Sequence, residues 1–521
     1  MKNLSVNRVA ALLGLLLCIP ALASEARDGL ACLDRYDIAC AQKALEDSSS
    51  GTEADLLRAQ LDFHLGNFDA AAEAIGKLES EMGGQESFKA ELGLYRKTAS
   101  ATAGFQALTR DDITLQYLPG VDQVMLDEAF ETLAAARTHI GSRLGGTPPG
   151  GIRMEIYPSI QRFTDASGLP ASAVRTTGVI ALSKWTRLLL TSPRALGKGY
   201  AWKDTVAHEY THYIVAWRTQ DRAPVWLQEG IARSHELFWR GDNRFELSPN
   251  SQSLLAEALQ DDSFVPLEKM HPSIAFLPSA REAALAYAQV STMMVYLEQV
   301  AGRDAVAKVL DRVRDGATAE QAVADVGAGG DMEAFLAGWK TMLRGMGLIQ
   351  QKLAAMPAAV DPGQNAYDLD PLLAQRKDLA SHARLGDLLL ERNHPEAALV
   401  EYQRAMPPDE PPSPMVSVKM AEALSALGRG EEALALLKRS VQDYPEYAET
   451  RTALAKRLLA AGNRTEALVQ FRASADIDPF DSAVQAALAD LYAATGNTRL
   501  ADRHGGYRRI LEAGGLPLET R

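Results

Sequence analysis

Three glycines near the end of the chain, Gly428, Gly462 and Gly496, stand 34 residues apart, and their neighbours repeat with them. Ala433 returns as Ala467 and Ala501, Glu432 and Leu434 as Glu466 and Leu468, and Pro445 as Pro479. A period held at several positions restricts this stretch to stacked units, each covering the apolar face of the next. The residue types suit a pair of antiparallel helices per unit. The glycine turns the chain between the two helices, the small alanine lets them approach closely, and the proline ends the second. A looser unit precedes them at Gly386 to Met406, with Pro395-Glu396-Ala397-Ala398-Leu399 opening its second helix.

The period and its pattern resemble tetratricopeptide (TPR) repeats over about 380–515. The resemblance implies all-α helical repeats whose concave face binds a peptide or a protein partner. A fainter copy lies near the start. Leu65-Gly66-Asn67-Phe68-Asp69-Ala70-Ala71 reads as a turn between paired helices, and a shift of 32 sets Arg35-Tyr36-Asp37-Ile38-Ala39 on Asn67-Phe68-Asp69-Ala70-Ala71. Cys32 and Cys40 then fall on facing helices, where a disulfide would staple one hairpin. On one continuous helix residues eight apart lie ~12 Å apart, too far to bridge. The bond therefore requires a turn, which Asp34-Arg35-Tyr36-Asp37 can supply; the alternative is two free buried thiols.

The first residues read as an export signal. Lys2 and Arg8 form a charged start, Val9 to Ile19 is apolar but too short to span a bilayer, and Pro20 breaks the helix before Ala21-Leu22-Ala23. Cleavage is expected after Ala23, giving a periplasmic or secreted protein without a membrane span. A retained anchor is the alternative; a lipid-modified Cys18 is disfavoured by the bulky Leu17 before it. The formal charge is −13, and losing Lys2 and Arg8 with no acid takes it to −15. A net-acidic chain without a Lys/Arg-rich run is a poor partner for nucleic acid or anionic lipid.

Between the helical blocks the pattern changes. Ile113-Thr114-Leu115-Gln116-Tyr117 and Ile152-Arg153-Met154-Glu155-Ile156-Tyr157 alternate as strands, with a helical stretch at 122–144 and a Gly/Pro loop at Gly145 to Gly150 between them. Val179-Ile180-Ala181-Leu182 and Leu188-Leu189-Leu190-Thr191 predict two further strands, and from about 202 the patterns are helical. Strands followed by helices predict an α+β domain.

That domain carries His208-Glu209-Tyr210-Thr211-His212 after a helix-favouring lead, Trp202 to Ala207. On a helix, residues four apart share a face, so both imidazoles can meet one metal, and Glu209 beside the first can act as general base on a metal-bound water. Downstream, past Pro224, comes Trp226-Leu227-Gln228-Glu229-Gly230-Ile231-Ala232.

The paired-His helix followed by this W-L-x-E-G-x-A segment resembles the gluzincin peptidases, in particular the peptidase MA-like group. The resemblance implies one Zn2+ per chain held by His208, His212 and Glu229, with Glu209 as the base. It also implies that Glu236, seven residues beyond Glu229, orients a histidine ligand. In Tyr287-Ala288-Gln289-Val290-Ser291, Tyr287 matches the tyrosine that hydrogen-bonds the oxyanion. An edge strand that pairs with an extended substrate is expected too, and Leu188 to Thr191 is its candidate. The glycine-rich G-A-M-E-N segment of the related aminopeptidases has no counterpart; Ala171-Ser172-Ala173-Val174 lacks its glutamate, which favours endopeptidase action.

The sequence thus predicts a multidomain protein: a signal peptide at 1–23, TPR-like hairpins at 24–103, an α+β gluzincin-type zinc-peptidase domain at 104–350, a linker at 351–380 and C-terminal TPR repeats at 381–521. The expected function is that of an exported zinc metallopeptidase whose repeats bind protein substrate or a partner. Two other readings stay open: a TPR scaffold with a non-catalytic zinc domain, and a zinc amidase acting on cell-wall material.

Overall fold

The computed structural model of the chain describes residues 25–169, 179–353, 367, 370 and 372–514. The expected signal peptide, its cleavage site and Ala171 to Val174 lie outside them. The described part is multidomain: an α+β domain between two blocks of helical repeats.

The first block is built of hairpins. Helices α1 (Glu25–Asp34) and α2 (Ile38–Asp47) are joined by a turn in which Tyr36 has φ 62°. Asp37 caps α2 by accepting from the Cys40 amide at 2.9 Å. The turn brings Cys32 and Cys40 to a Cα separation of 5.8 Å, and they form a disulfide. Helices α3 (Thr52–Leu65), α4 (Phe68–Lys77) and α5 (Glu86–Ala101) follow, with Gly66 at φ 83° turning the chain between α3 and α4.

The central domain opens with strands β1 (Gln106–Arg110) and β2 (Ile113–Tyr117), helix α6 (Leu126–Arg143), strand β3 (Ile152–Tyr157) and helix α7 (Ile160–Ser167). Strands β4 (Ala181–Lys184) and β5 (Arg187–Thr191) complete one sheet in the order β1-β2-β3-β5-β4. β2, β3 and β5 run parallel, and β1 and β4 add antiparallel at the two edges. Trp185 and Thr186, both at positive φ (53° and 58°), make the two-residue turn from β4 to β5.

The strand placement corrects one expectation. Leu188 to Thr191 belongs to β5, which is buried along its whole length and paired on both sides, so it has no free edge. The edge is β4. A second strand, β1, gave no signal in the sequence because it is exposed on both faces.

Helix α8 (Trp202–Thr219) packs on β4 and β5, and α9 (Val225–His235), α10 (Pro249–Asp261), α11 (Ala280–Ala301), α12 (Ala305–Arg314), α13 (Ala319–Ala328) and α14 (Met332–Gly345) pack on it and on one another. One core runs from β2, β3 and β5 through Trp202 and Trp226 to Trp339, all three fully buried.

The last block stacks four helix pairs: α15 (Lys377–Glu391) with α16 (Pro395–Ala405), α17 (Pro414–Ala426) with α18 (Gly430–Asp443), α19 (Ala448–Ala460) with α20 (Arg464–Ala475), and α21 (Ser482–Ala494) with α22 (Thr498–Glu512). Gly428, Gly462 and Gly496 turn the last three pairs with φ of 75°, 81° and 76°. In the first pair Asn393, φ 61°, takes the glycine's place.

Both helical blocks are docked on the central domain. At the N-terminal side the buried guanidinium of Arg187 pairs with Glu155 at 3.1 Å and lies under the Phe63 and Phe68 rings. At the C-terminal side Lys203 bonds Glu128 at 2.7 Å and also Asp476, the Tyr200 amide donates to Ile477 O at 3.0 Å, and Tyr507 joins the central core.

Candidate active site

Helix α8 ends at Gln220 and Asp221, both in the left-handed region (φ 50° and 59°), and Pro224 starts α9 in a new direction. This corner lays α9 against α8. Glycine is required on the other face of α9. A Cβ at Gly230 would sit 2.8 Å from the Val290 carbonyl oxygen, so the missing side chain lets α9 pack directly on the backbone of α11.

The result is a cluster of three nearly buried groups. His208 and His212, one turn apart, bring their Nε2 atoms to 3.1 Å. Oε2 of Glu229 lies 3.5 Å from the first and 3.8 Å from the second. All three ligand atoms fall within 4.8 Å of one another. Tetrahedral zinc with bonds near 2.0–2.1 Å sets its ligand atoms about 3.3 Å apart. The triangle therefore fits a small tetrahedral cation with one position left for another ligand.

The hydrogen bonds behind the cluster aim it. Nδ1 of His208 lies 3.0 Å from Oε2 of Glu236, so its proton sits there and the Nε2 lone pair points inward. Gln228, whose Nε2 donates to Ala223 O at 2.8 Å, raises His212 against its burial. Arg233 reaches Glu236 at 3.4 Å and lies 5.6 Å from the Tyr287 ring centre.

The charges record the crowding. Burial would neutralise His208, but its bonds to Glu229 and Glu236 prevail and raise it to about 9. Burial takes His212 down to about 4, against the pull of Glu229. Glu229 resists its own burial because the two histidines hold it near 2. Glu209, 8% exposed, is pushed up to about 7 by burial, although the Ser183 amide of strand β4 donates to it. A carboxyl balanced near neutrality can both take and give a proton.

Tyr287, half-buried on α11, is raised by burial and by the Glu229 and Glu209 carboxylates, and it lines the cleft with Arg233 and Glu236. Of the residues singled out in the sequence, His208, Glu209, His212, Glu229, Glu236 and Tyr287 are brought together. Cys32 and Cys40 are a separate pair. His235 turns away from the cluster: it is fully buried, its Nδ1 is 3.0 Å from Ile231 O and its Nε2 faces Glu298 at 3.4 Å. Sequence reasoning missed Gln228, Arg233 and Ser183. The first two sit at helical positions flanking Glu229; nothing in the local sequence marks Ser183.

A paired-histidine helix, a carboxylate from the next helix and an edge strand alongside make a site that could hold a metal ion, on a repeat-bearing protein. Comparison with known families makes this specific: residues 137–345 match the Peptidase MA superfamily and residues 424–491 the tetratricopeptide repeat family, so the chain carries a domain of that superfamily together with TPR repeats. No curated protein matches the chain. Among solved structures, yeast LTA4 hydrolase is 13% identical, covering 80% of this chain and 67% of its own, with a TM-score of 0.30. The TPR protein YrrB, with "an unusual peptide-binding site", is 21% identical over 29% of this chain and 80% of its own, at a TM-score of 0.22. Yeast Tom70 is 13% identical over 91% and 88%, at 0.22. At these scores the assignment rests on the family matches and the site geometry alone.

Proposed function

We propose that the chain is an exported zinc metallopeptidase, an endopeptidase acting on extended protein segments, with repeats that bind its protein substrate or a partner. The observation that carries this reading is the convergence of His208, His212 and Glu229 with Glu209 one residue from the first histidine. One Zn2+ per chain suits the donor set of two imidazoles and a carboxylate, and when bound it supplies Lewis-acid polarisation of the scissile carbonyl and a more acidic water.

The protein's own groups do the rest. Glu236 holds the His208 imidazole by its outer nitrogen, so that it presents Nε2 inward. Glu209 takes a proton from the attacking water and delivers it to the leaving amine, a task its place one residue from His208 suits. The Tyr287 phenol donates to the carbonyl oxygen as charge develops there. Strand β4 ends the sheet, and its outer edge offers backbone groups to an extended chain. Export is supported by the signal-like start and the Cys32–Cys40 disulfide. No helix among the described residues is long and apolar enough to cross a membrane.

The test is metal content and activity in one preparation. Residues 24–521 and the Glu209→Gln variant are purified, bound zinc is measured, and both are incubated with unfolded casein with and without a chelator. One zinc in each and cleavage by the unmodified chain only is the expected result. Zinc without cleavage by either would favour the scaffold or a non-peptide amide, and absence of zinc from both would overturn the reading.

A further inference from the structure

A cleft of about 720 Å³ opens beside the metal cluster, and its two walls come from different domains. One wall carries Arg233, Glu236 and Tyr287. The other carries Pro445, Glu446, Arg451 and Ile477 of the C-terminal repeats. This second wall is fixed. Tyr200 N–H donates to Ile477 O at 3.0 Å, a Cβ at Gly199 would meet that oxygen at 2.4 Å, and Lys203 is held between Glu128 and Asp476. Repeat residues thus line the cleft that adjoins the cluster at Glu236.

Four guanidinium groups line the cleft, and three of them are neutralised. Arg233 pairs with Glu236 at 3.4 Å, Arg240 with Asp204 at 2.7 Å, and Arg244 with Glu246 at 3.3 Å. Arg451 differs. Its Nε donates to Pro445 O at 2.7 Å and one Nη to Gln470 Oε1 at 3.1 Å, both neutral acceptors that fix the plane of the group. Among the described residues no carboxylate comes within ion-pair distance of it. Asp476, Glu246 and Glu446 stand further off. Asp476 is taken up by Lys203 and Arg240, and Glu246 by Arg244, while burial opposes the Arg451 charge.

A partly desolvated guanidinium, pre-oriented by neutral partners and with no carboxylate at ion-pair distance among the described residues, can receive a planar carboxylate in the cleft, against the more distant charges of Asp476, Glu246 and Glu446. We propose that Arg451 binds a carboxylate of the substrate, so that the repeat array selects the peptide at the active site. The substrate class is an extended peptide whose acidic side chain or C-terminal carboxylate reaches the repeat wall of the cleft. The proposal rests on the peptidase reading for the location of the site, but its test reads binding and needs no turnover.

Residues 24–521 carrying Glu209→Gln are titrated by calorimetry with short peptides in matched pairs. In one arm Asp or Glu is exchanged for Asn or Gln at each position in turn; in the other the C-terminal acid is exchanged for the amide. In one arm the acid member is expected to bind about tenfold tighter or more, the range of a charge-assisted hydrogen bond. The responding arm identifies the source of the carboxylate. Adding Arg451→Gln, which keeps a donor for the neutral partners, is expected to bring the acid-to-amide ratio to about one, with Arg451→Lys in between. Retained zinc content and melting temperature show that the variants fold. No acid preference in either arm, a preference that survives Arg451→Gln, or no peptide binding at all would overturn the proposal. Failure of the peptidase reading would show separately, as intact casein with the unmodified chain.

Discussion

Nδ1 of His208 and Oε2 of Glu236 lie 3.0 Å apart although 28 residues separate them in the chain. This bond fixes which nitrogen of His208 faces the cluster, so Glu236→Ala should weaken zinc binding about 10–100-fold. Competition against a chromophoric chelator measures it. Unchanged affinity would mean that Arg233 and Glu236 form only a local ion pair.

Gly230 tests the packing that holds Glu229 in place. Its Cβ would meet the Val290 carbonyl oxygen at 2.8 Å, and backbone on both sides leaves little room to yield. Gly230→Ala should cost about 1–3 kcal/mol, the usual range for overpacking, and should lower zinc content by shifting α9 away from α8. A urea titration beside elemental analysis checks both. Full stability with full zinc would show that α9 and α11 can separate freely.

Lys203 tests the docking of the repeats. Its ammonium, 12% exposed, bonds Glu128 at 2.7 Å and also Asp476, and these carboxylates overcome burial to keep it charged. Lys203→Met leaves two nearly buried acids facing each other. A loss of about 3–5 kcal/mol is expected, together with faster limited proteolysis between the central domain and the repeats.

His504 gives a pH dependence with a definite sign. It is 6% exposed, its Nδ1 donates to Gln485 Oε1 at 2.7 Å, and its ring stacks on Tyr492. Burial, helped by Arg503, Lys203 and Arg472, lowers it from 6.5 to about 4. The folded state thus binds fewer protons than the unfolded one between these values. The contribution is complete above pH 6.5 and declines as pH falls toward 4, by at most about 1.4 kcal/mol per unit. The stability difference between the unmodified chain and His504→Gln should therefore shrink on acidification through that window, and the subtraction cancels the histidines of the metal cluster. A difference independent of pH would contradict the assignment.

The metal cluster was legible because its spacing is local. One helical turn joins His208 to His212, and one corner at Pro224 carries the chain to Glu229. The repeats were legible because a fixed period survives substitution, even where Asn393 replaces the turn glycine. The sheet was less so. Leu188 to Thr191 is apolar because it lies inside the sheet, while the true edge, β4, is a short, partly exposed strand whose sequence resembles a loop. Least legible was the cleft: Arg451 meets the wall formed by Tyr287 and Arg233 through a fold-back that no local pattern encodes.

The Arg187 guanidinium, buried between Glu155 on one side and the rings of Phe63 and Phe68 on the other, bears on how this protein can be taken apart. Its roof belongs to the N-terminal hairpins and its floor to the sheet. Cutting the chain near residue 103 would uncover the charged pair beside the β4–β5 turn. Removing the last helix would leave the niche of Tyr507 open at the opposite face. The central α+β unit is therefore not a cassette that could be transplanted whole without both of its flanks.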